Sequence, residues 1–313
     1  MARSPLGKTL IIANPAAHSG DGEKGARFAE TFLSSFRSAT NGFEVMRTSA
    51  SGDATGIAAE SGGYDTVITL GGDGAIHEVV GGLMKIRREK RPQLGIIPMG
   101  SGNDYARTLG IKRNDVGGAL AQLVRGRARS CELGRVNRVY YMQTLSFGLD
   151  AAIALDTTAK RAKGTSQKGE ELFVRSALSI LSQVGEGYAC KAAFDDEEPI
   201  DLKSIIFAVQ VGPTYGGGFK ICPEADIEDG LLDVCYNVST PSTPKILALL
   251  GLARAGKHTI SKVVTTRRIG HAELRFVDEP PCQVDGEALH GKDFDIDVVP
   301  DALDVIFPSQ SGR

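Results

Sequence analysis

Two short glycine-rich runs, Gly71-Gly72-Asp73-Gly74 and Gly100-Ser101-Gly102-Asn103-Asp104, each stand where an apolar strand-like run gives way to a helix-like one. Glycines at such a junction let the backbone turn tightly and present consecutive N–H groups. A helix N-terminus adds positive potential there, so the pair of features suits a phosphate. A double glycine alone is equally well a tight turn with a helix cap. Asp73 moves the reading toward binding, because a carboxylate beside a phosphate cradle must engage a metal or a donor group, and Mg²⁺ carried by a nucleotide is such a partner. In the second run Ser101 offers a hydroxyl, Asn103 and Asp104 offer polar ends, and Arg107 lies one turn into the following helix. The plainer reading of that run is an N-cap with a surface arginine.

Other nucleotide and metal motifs fail on spacing. From Gly72 and from Gly100 the third glycine of G-x-G-x-x-G falls on His77 and Tyr105, which excludes a dinucleotide fingerprint. The stretch from Gly251 to Lys257 has P-loop spacing, but His258 replaces the Ser/Thr and a helical stripe precedes it, so it reads as a helix ending at Gly256. His77-Glu78 lacks the second histidine of a metalloprotease helix, since Gly81 stands there. Two acidic turns remain. Asp226, Glu228 and Asp229 precede Leu231, where Asp226 and Asp229 with a backbone carbonyl could hold a hard cation; an acidic β-turn before a strand is an equal reading. Val284-Asp285-Gly286-Glu287 is a hairpin tip that, set against two phosphate loops, becomes a candidate general base.

The elements that position these groups follow a pattern. Leu10–Ala13, Asp65–Leu70 and Leu94–Ile97 read as buried strands, and Ile76, Val79, Val80 and Leu83 give one apolar helix face. A glycine-rich turn runs to Gly25, after which Phe28, Phe32, Leu33 and Phe36 recur at helical spacing. Strand, glycine turn, helix, repeated, is the pattern of a doubly wound parallel sheet, whose strand ends form a ligand crevice. Beyond residue 130 the texture becomes β-rich: Val136–Leu145, Ala189–Phe194, Ser204–Val211, Leu231–Val238 and Ala272–Val277 read as antiparallel strands, interrupted by one helix through Ile246, Leu247, Leu250 and Ala253. A chain of 313 residues suits two domains. A net charge of −2 and 6% aromatics argue against nucleic-acid binding. The five cysteines lack C-x-x-C spacing and read as reduced cytosolic thiols. No secretory or membrane-spanning segment is legible.

Taken in order, Asn14-Pro15, GGDGA at 71–75, PMGSGNDYAR at 98–107, YGGGFKICPEADIEDGLLDV at 215–234 and VDGE at 284–287 resemble the soluble bacterial lipid kinases of the diacylglycerol kinase catalytic-domain family, relatives of sphingosine kinases and, more remotely, of NAD kinase. The resemblance implies an α/β nucleotide domain over 1–132 and an antiparallel β-sandwich substrate domain over 133–313, with roughly the last 15 residues able to return to the first domain and the active site in the cleft between them. It implies ATP and Mg²⁺ as cofactors and a lipid hydroxyl as acceptor. Carried over, the phosphate loop is Gly71, Gly72, Asp73, Gly74, Ala75, Ile76 and His77, with Asn14, Thr48, Gly100, Ser101, Asn103 and Asp104 beside the nucleotide. Glu287 becomes the proton acceptor, with Asp285 and Asp73 as further catalytic groups, and Asp226, Asp229 and the Leu231 carbonyl a structural Mg²⁺ site. Ala75 departs from the family's usual threonine. Competing readings are an NAD-kinase-like enzyme for a soluble alcohol and a non-catalytic nucleotide-binding module. A lipid substrate implies a cytoplasmic protein that visits the membrane transiently at its periphery, with the basic stretch Lys160–Lys168 as a loop for anionic head groups; a homodimer is left open.

Overall fold

The computed structural model describes residues 4–162, 175–176, 179–180 and 187–309. Two compact units share the chain: the first runs to Cys131 and resumes at Asp301, and the second is Glu132–Pro300.

The first unit alternates strands and helices: β1 (Thr9–Ala13), α1 (Ala17–Ser35), β2 (Phe43–Arg47), α2 (Asp53–Ala59), β3 (Thr66–Gly71), α3 (Asp73–Leu83), β4 (Gln93–Pro98), α4 (Asp104–Leu109) and α5 (Val116–Arg125). β1 and β3 are buried along their whole length because helices cover both faces of a parallel sheet. The strand order is β2-β1-β3-β4, all parallel. The order reverses between β1 and β3, which makes their carboxyl ends the natural place for a ligand. Ile76, Val79, Val80 and Leu83 are all buried, as their spacing requires. The final residues pair Val305 with Leu94, and Arg88 grips Asp304 with two bonds, Nη1 to Oδ2 at 3.0 Å and Nη2 to Oδ1 at 2.6 Å.

The opening turn differs from its expected form. α1 begins well before Gly25 and is kinked at His18, Ser19 and Gly20, whose φ values are all positive. Gly22 and Gly25 lie inside the helix because a Cβ at Gly22 would stand 2.1 Å from the Asn14 carbonyl oxygen and one at Gly25 would stand 3.3 Å from Val116. The aromatic stripe is not core: Phe28 and Phe36 are exposed and stack on Phe32 along the outside, while Ala26, Ala29 and Leu33 face inward.

The second unit is entered along β5 (Arg127–Val136), followed by β6 (Val139–Tyr141), β7 (Thr144–Gly148), α6 (Leu149–Ala162), β8 (Tyr188–Phe194), β9 (Ile200–Ser204), β10 (Ile206–Gln210), β11 (Thr214–Tyr215), β12 (Phe219–Lys220), β13 (Leu232–Asn237), α7 (Thr243–Ala253), β14 (Val264–Ile269), β15 (His271–Phe276), β16 (Cys282–Val284), β17 (Glu287–Ala288) and β18 (Asp293–Phe307). One antiparallel sheet runs β14-β13-β10-β7-β16-β17; β18, β15, β8 and β9 pair antiparallel in another. Rings from the two sheets fill the sandwich: Phe207 lies flat on Phe194 at 6.2 Å, and Phe147 meets Phe294 edge-on at 4.8 Å. The opposite face of the first sheet carries α6 and α7 through Leu149, Ile153, Ile246, Leu249 and Ala253.

Several boundaries move. The run read as one strand from Val136 to Leu145 is broken by Asn137, at φ 52°, into β5, β6 and β7. α6 was not expected; it starts directly from Gly148, at φ 79°, with no polar punctuation. α7 ends at Ala253, and Gly256, at φ 71°, opens a separate 3₁₀ turn over Lys257–Ile260. Lys160, expected in a basic loop, belongs to the last turn of α6, with Nζ 2.5 Å from Asp156; residues 163–168 of that segment lie outside the described residues. Among the described residues no helix is long and apolar enough to cross a membrane.

Asp150, in the first turn of α6, opposes this packing. It is 6% exposed and its Oδ2 has no hydrogen-bond partner. Burial pushes its carboxyl up to about 8, with a Ser146 hydrogen bond pulling the other way. The folded chain therefore holds a proton that the unfolded chain releases near 3.8, and stability falls as pH rises from there toward 8. Asp150→Asn should raise the thermal midpoint increasingly across that window and flatten its pH dependence. Parallel melting curves of the two proteins that keep a constant offset from acid to neutral pH would contradict this.

Candidate active site

Parallel register decides which loops meet. Ala13 stands beside Leu70 and Arg47, and Gly71 beside Pro98, so the residues after β1, β2, β3 and β4 leave the sheet at the same carboxyl edge. Asn14, Thr48, the 71–75 loop and the 100–104 loop are thereby gathered from distant parts of the sequence.

A cavity of about 530 Å³ opens at the reversal between β1 and β3. Of the predicted residues, Asn14, Thr48, Gly74 and Ala75 line it. Asn14 accepts the Ala16 N–H through Oδ1 at 3.0 Å, and its own N–H donates to the Leu70 carbonyl, which fixes the turn after β1. The Thr48 N–H is held by the Ala13 carbonyl at 2.9 Å. The first turn of α3 supplies N–H groups that have no carbonyl four residues behind them within the helix. Those of Gly74 and Ala75 belong to this turn; the ladder proper starts with the Ile76 N–H to the Gly72 carbonyl at 3.1 Å. Ile76, expected beside the nucleotide, has its amide in the helix and its side chain fully in the core. His77 is half-buried and lies outside the lining.

The second glycine loop plays a different part from the one expected. Gly100, Ser101, Asn103 and Asp104 do not line the cavity; they brace the first loop. A Cβ on Gly100 would stand 2.6 Å from the Gly72 Cα, and one on Gly102 would stand 2.7 Å from the Asp73 Oδ2. The glycines thus serve close approach of loop to loop. Asp73 seals the contact: Oδ2 accepts the Asn103 N–H at 2.7 Å and Oδ1 accepts the Asp104 N–H at 2.9 Å. Asp73, expected among the catalytic groups, clamps the two loops together through these bonds. Asn103 is buried at φ 51° and donates to the Gly100 carbonyl at 2.7 Å; Asp104 is buried with Arg107 Nε 3.6 Å away, while Ser101 is exposed.

The cavity has further walls that sequence reasoning missed: Ser49, Ala50, Ser51 and Glu78. Asp53 shapes this hydroxyl-rich turn by accepting the N–H groups of Ser49 and Ala50 and the Ser49 hydroxyl, all within 2.9 Å, which holds its carboxyl below the usual range. The signal was present as Thr48-Ser49-Ala50-Ser51-Gly52-Asp53, a polar turn after a strand.

In the second unit, β16 and β17 pair Val284 with Glu287 across a two-residue turn. Asp285 and Gly286 have φ 49° and 97°, as an Asp-Gly turn of this class requires. Asp285 is saturated: Oδ1 accepts the N–H groups of Gln143 and Thr144, and Oδ2 that of Met142, at 2.9–3.0 Å. Asp285, expected among the catalytic groups, thereby pins the entry to β7. Gly286 is held by Gln283 at 2.7 Å and by Thr158 of α6 at 3.3 Å. Glu287 is exposed and is the carboxylate this framework presents to solvent.

The acidic turn before β13 is built from local bonds. Asp226 accepts the Glu228 N–H at 3.1 Å, and Asp229 accepts the Leu231 N–H at 3.0 Å while its other oxygen lies 3.6 Å from Arg268. Glu132 on β5, which the sequence reading missed, stands behind them. It is 2% exposed, takes the Gly230 N–H on Oε2, and leaves Oε1 without a partner. Burial, then the charges of Asp229, Asp226 and Asp233, push its carboxyl up to about 7; burial likewise raises Asp233 to about 6 against the pull of Arg268. These carboxylates are hard donors of the kind Mg²⁺ takes, but their ligand atoms are not gathered within 4.8 Å of one another as a formed site requires. Among the described residues, the group whose potential ligand atoms do come together is His271, Asp295 and Asp297, with Arg135 Nη2 2.7 Å from Asp297.

Comparison with known proteins identifies the family and fold of both units. The diacylglycerol kinase catalytic domain model matches residues 8–136, and the YegS C-terminal NAD kinase beta sandwich-like domain model matches 143–307. The chain is 30% identical to a protein of Pectobacterium atrosepticum named "Probable lipid kinase YegS-like" over 246 residues, 79% of each chain. It is 27% identical to the diacylglycerol kinase of Bacillus subtilis over 259 residues, 82% of each. A crystal structure of a diacylglycerol kinase from Bacillus anthracis superposes with a TM-score of 0.78 at 23% identity, covering 96% of this chain and 97% of that one.

Proposed function

Since the chain belongs to the lipid kinase family built on the diacylglycerol kinase catalytic domain, and is thus a phosphotransferase with an alcohol acceptor, we propose that it moves the γ-phosphoryl group of ATP, with Mg²⁺, to a hydroxyl of a diacylglycerol-like lipid. The observation that carries this reading is the cavity at the carboxyl edge of the first sheet, placed against a helix N-terminus and walled by hydroxyls. Its volume lies within the roughly 300–1,000 Å³ typical of small-molecule sites.

In this reading the α3 N–H groups of Gly74 and Ala75 receive phosphate oxygens, and the Thr48, Ser49 and Ser51 hydroxyls face the rest of the nucleotide. Ala75 contributes only its amide, having no hydroxyl. Asp73 and the 100–104 loop keep that amide array in place. An alcohol is a weak nucleophile at neutral pH, so a carboxylate must take its proton as the bond to phosphorus forms; Glu287 has that role and Asp285 holds its turn. Asp226, Asp229 and the Leu231 carbonyl, with Glu132 behind them, would hold Mg²⁺, whose contribution when bound is fixed positive charge in an acidic turn.

The acceptor class is the part to test. With ATP and Mg²⁺ held constant, the protein should phosphorylate a short-chain diacylglycerol and leave NAD unchanged. Conversion of NAD in place of the lipid would establish the soluble-alcohol reading, and tight ATP binding with no transfer to either would establish a regulatory module.

A further inference from the structure

From Ile246 to Ala253, α7 is apolar on every side. Ile246, Leu249 and Ala253 pack on the second unit's sheet, whereas Leu247, Ala248, Gly251 and Leu252 form the opposite face and are exposed, Leu247 at 42% and Leu252 at 38%. A helix that is hydrophobic all round needs cover on both faces. The 3₁₀ turn that follows extends the feature with Ile260, which is 80% exposed.

The charge around this face has one sign. Between Asp233 and Glu273 the chain contains no acidic residue and six basic ones: Lys245, Arg254, Lys257, Lys262, Arg267 and Arg268. Arg267 and Arg268 are engaged with Glu197, and with Asp229 and Asp233. Lys245, Lys257 and Lys262 are exposed, with no carboxylate in salt-bridge distance among the described residues, and they bracket the apolar face along the chain. Exposed leucine and isoleucine flanked by unneutralised lysines is the composition of an element that lies in the plane of an anionic bilayer, apolar side chains in the acyl boundary and ammonium groups among the phosphates. A second copy of the chain would set these lysines against one another across a two-fold axis, which favours the lipid surface as the occupant.

We propose that the outer face of α7, with Ile260 and the lysines beside it, docks the protein on anionic phospholipid. This rests on the reading of the protein as a lipid kinase, and it moves the membrane contact away from the basic stretch at 160–168. The test uses the full chain, comparing wild type with a Leu247→Ser/Leu252→Ser/Ile260→Ser variant and with a Lys245→Gln/Lys257→Gln/Lys262→Gln variant. Sedimentation with phosphatidylcholine vesicles, with and without phosphatidylglycerol, reads binding; phosphorylation of a short-chain diacylglycerol dispersed below its micellar limit reads catalysis without a surface.

Wild type should bind only vesicles containing phosphatidylglycerol. Each lysine neutralised should cost about fivefold in vesicle affinity, and the serine variant should lose retention, while both keep wild-type turnover on the dispersed substrate. Vesicle binding unchanged in both variants overturns the proposal. So does a wild-type dimer in size-exclusion chromatography that the serine variant converts to monomer. Absence of turnover on any dispersed lipid by wild type overturns the kinase reading separately, whatever the vesicles show.

Discussion

Glu287→Gln should lower turnover on a lipid alcohol by about 10²–10⁴-fold, the contribution of a positioned general base, and leave ATP affinity near that of wild type. The substitution removes the capacity to accept a proton and keeps the shape of the side chain. Glu287 is exposed on β17, pairs through its backbone with Val284, and among the described residues its side chain makes no hydrogen bond or ion pair, so the thermal midpoint should hold. The contrast lies one turn away. Asp285 accepts three backbone N–H groups, so Asp285→Asn should unfold at lower temperature and lose activity through misplacement. Steady-state kinetics with saturating ATP, alongside a melting curve, separate the two. A Glu287→Gln enzyme within a few-fold of wild-type turnover removes Glu287 from the base role.

The second large effect is expected at Asp73. Its two oxygens hold the Asn103 and Asp104 N–H groups and so lock the loop after β4 against the loop after β3. Hydrogen bonds to a charged group contribute about 1.5–3 kcal/mol each. Asp73→Asn replaces one acceptor by a donor that faces an N–H, so one bond is lost and one repulsive contact is made. The 100–104 loop then no longer braces the α3 N-terminus, and the KM for ATP should rise at least tenfold with a smaller change in kcat. Gly100→Ala attacks the same contact from the other side, because its Cβ would fall 2.6 Å from the Gly72 Cα. A loss of kcat at unchanged KM for ATP would make Asp73 a group of the chemical step and contradict the clamp.

These residues also show what can be read from sequence and why the rest cannot. The glycine loops at 71–74 and 100–104 were legible as site elements because strand, glycine turn and helix follow one another at short range. What the glycines approach was not, since a phosphate and a neighbouring loop make the same demand on a missing Cβ. Asp73 and Asp285 were legible as chemistry-bearing carboxylates; that both are sealed by backbone N–H groups depends on partners 30 and more than 140 residues away. Ile76 was drawn into the site by its place within the loop motif, yet helical periodicity already marked it as core. α6 escaped because Leu149-Asp150-Ala151-Ala152 follows a buried strand without a break in hydropathy. Glu132 offered no pattern at all: a single acid between Cys131 and Leu133 in a mixed strand becomes significant only when the turn at 226–231 closes over it. Parallel register, by contrast, turned four separate strand ends into one edge, and that consequence follows from the fold class alone.

The central claim is that the alcohol phosphorylated by this chain belongs to a lipid and that the phosphoryl group comes from ATP. Mass spectrometry of a bacterial lipid extract, incubated with the protein, Mg²⁺ and ATP isotopically labelled in its γ-phosphoryl group, tests it most directly. A neutral glycerolipid should decline while a species heavier by one labelled phosphoryl group appears in equal amount. A lipid profile identical to that of the extract without protein, with the label recovered in inorganic phosphate or in a soluble nucleotide, would contradict it.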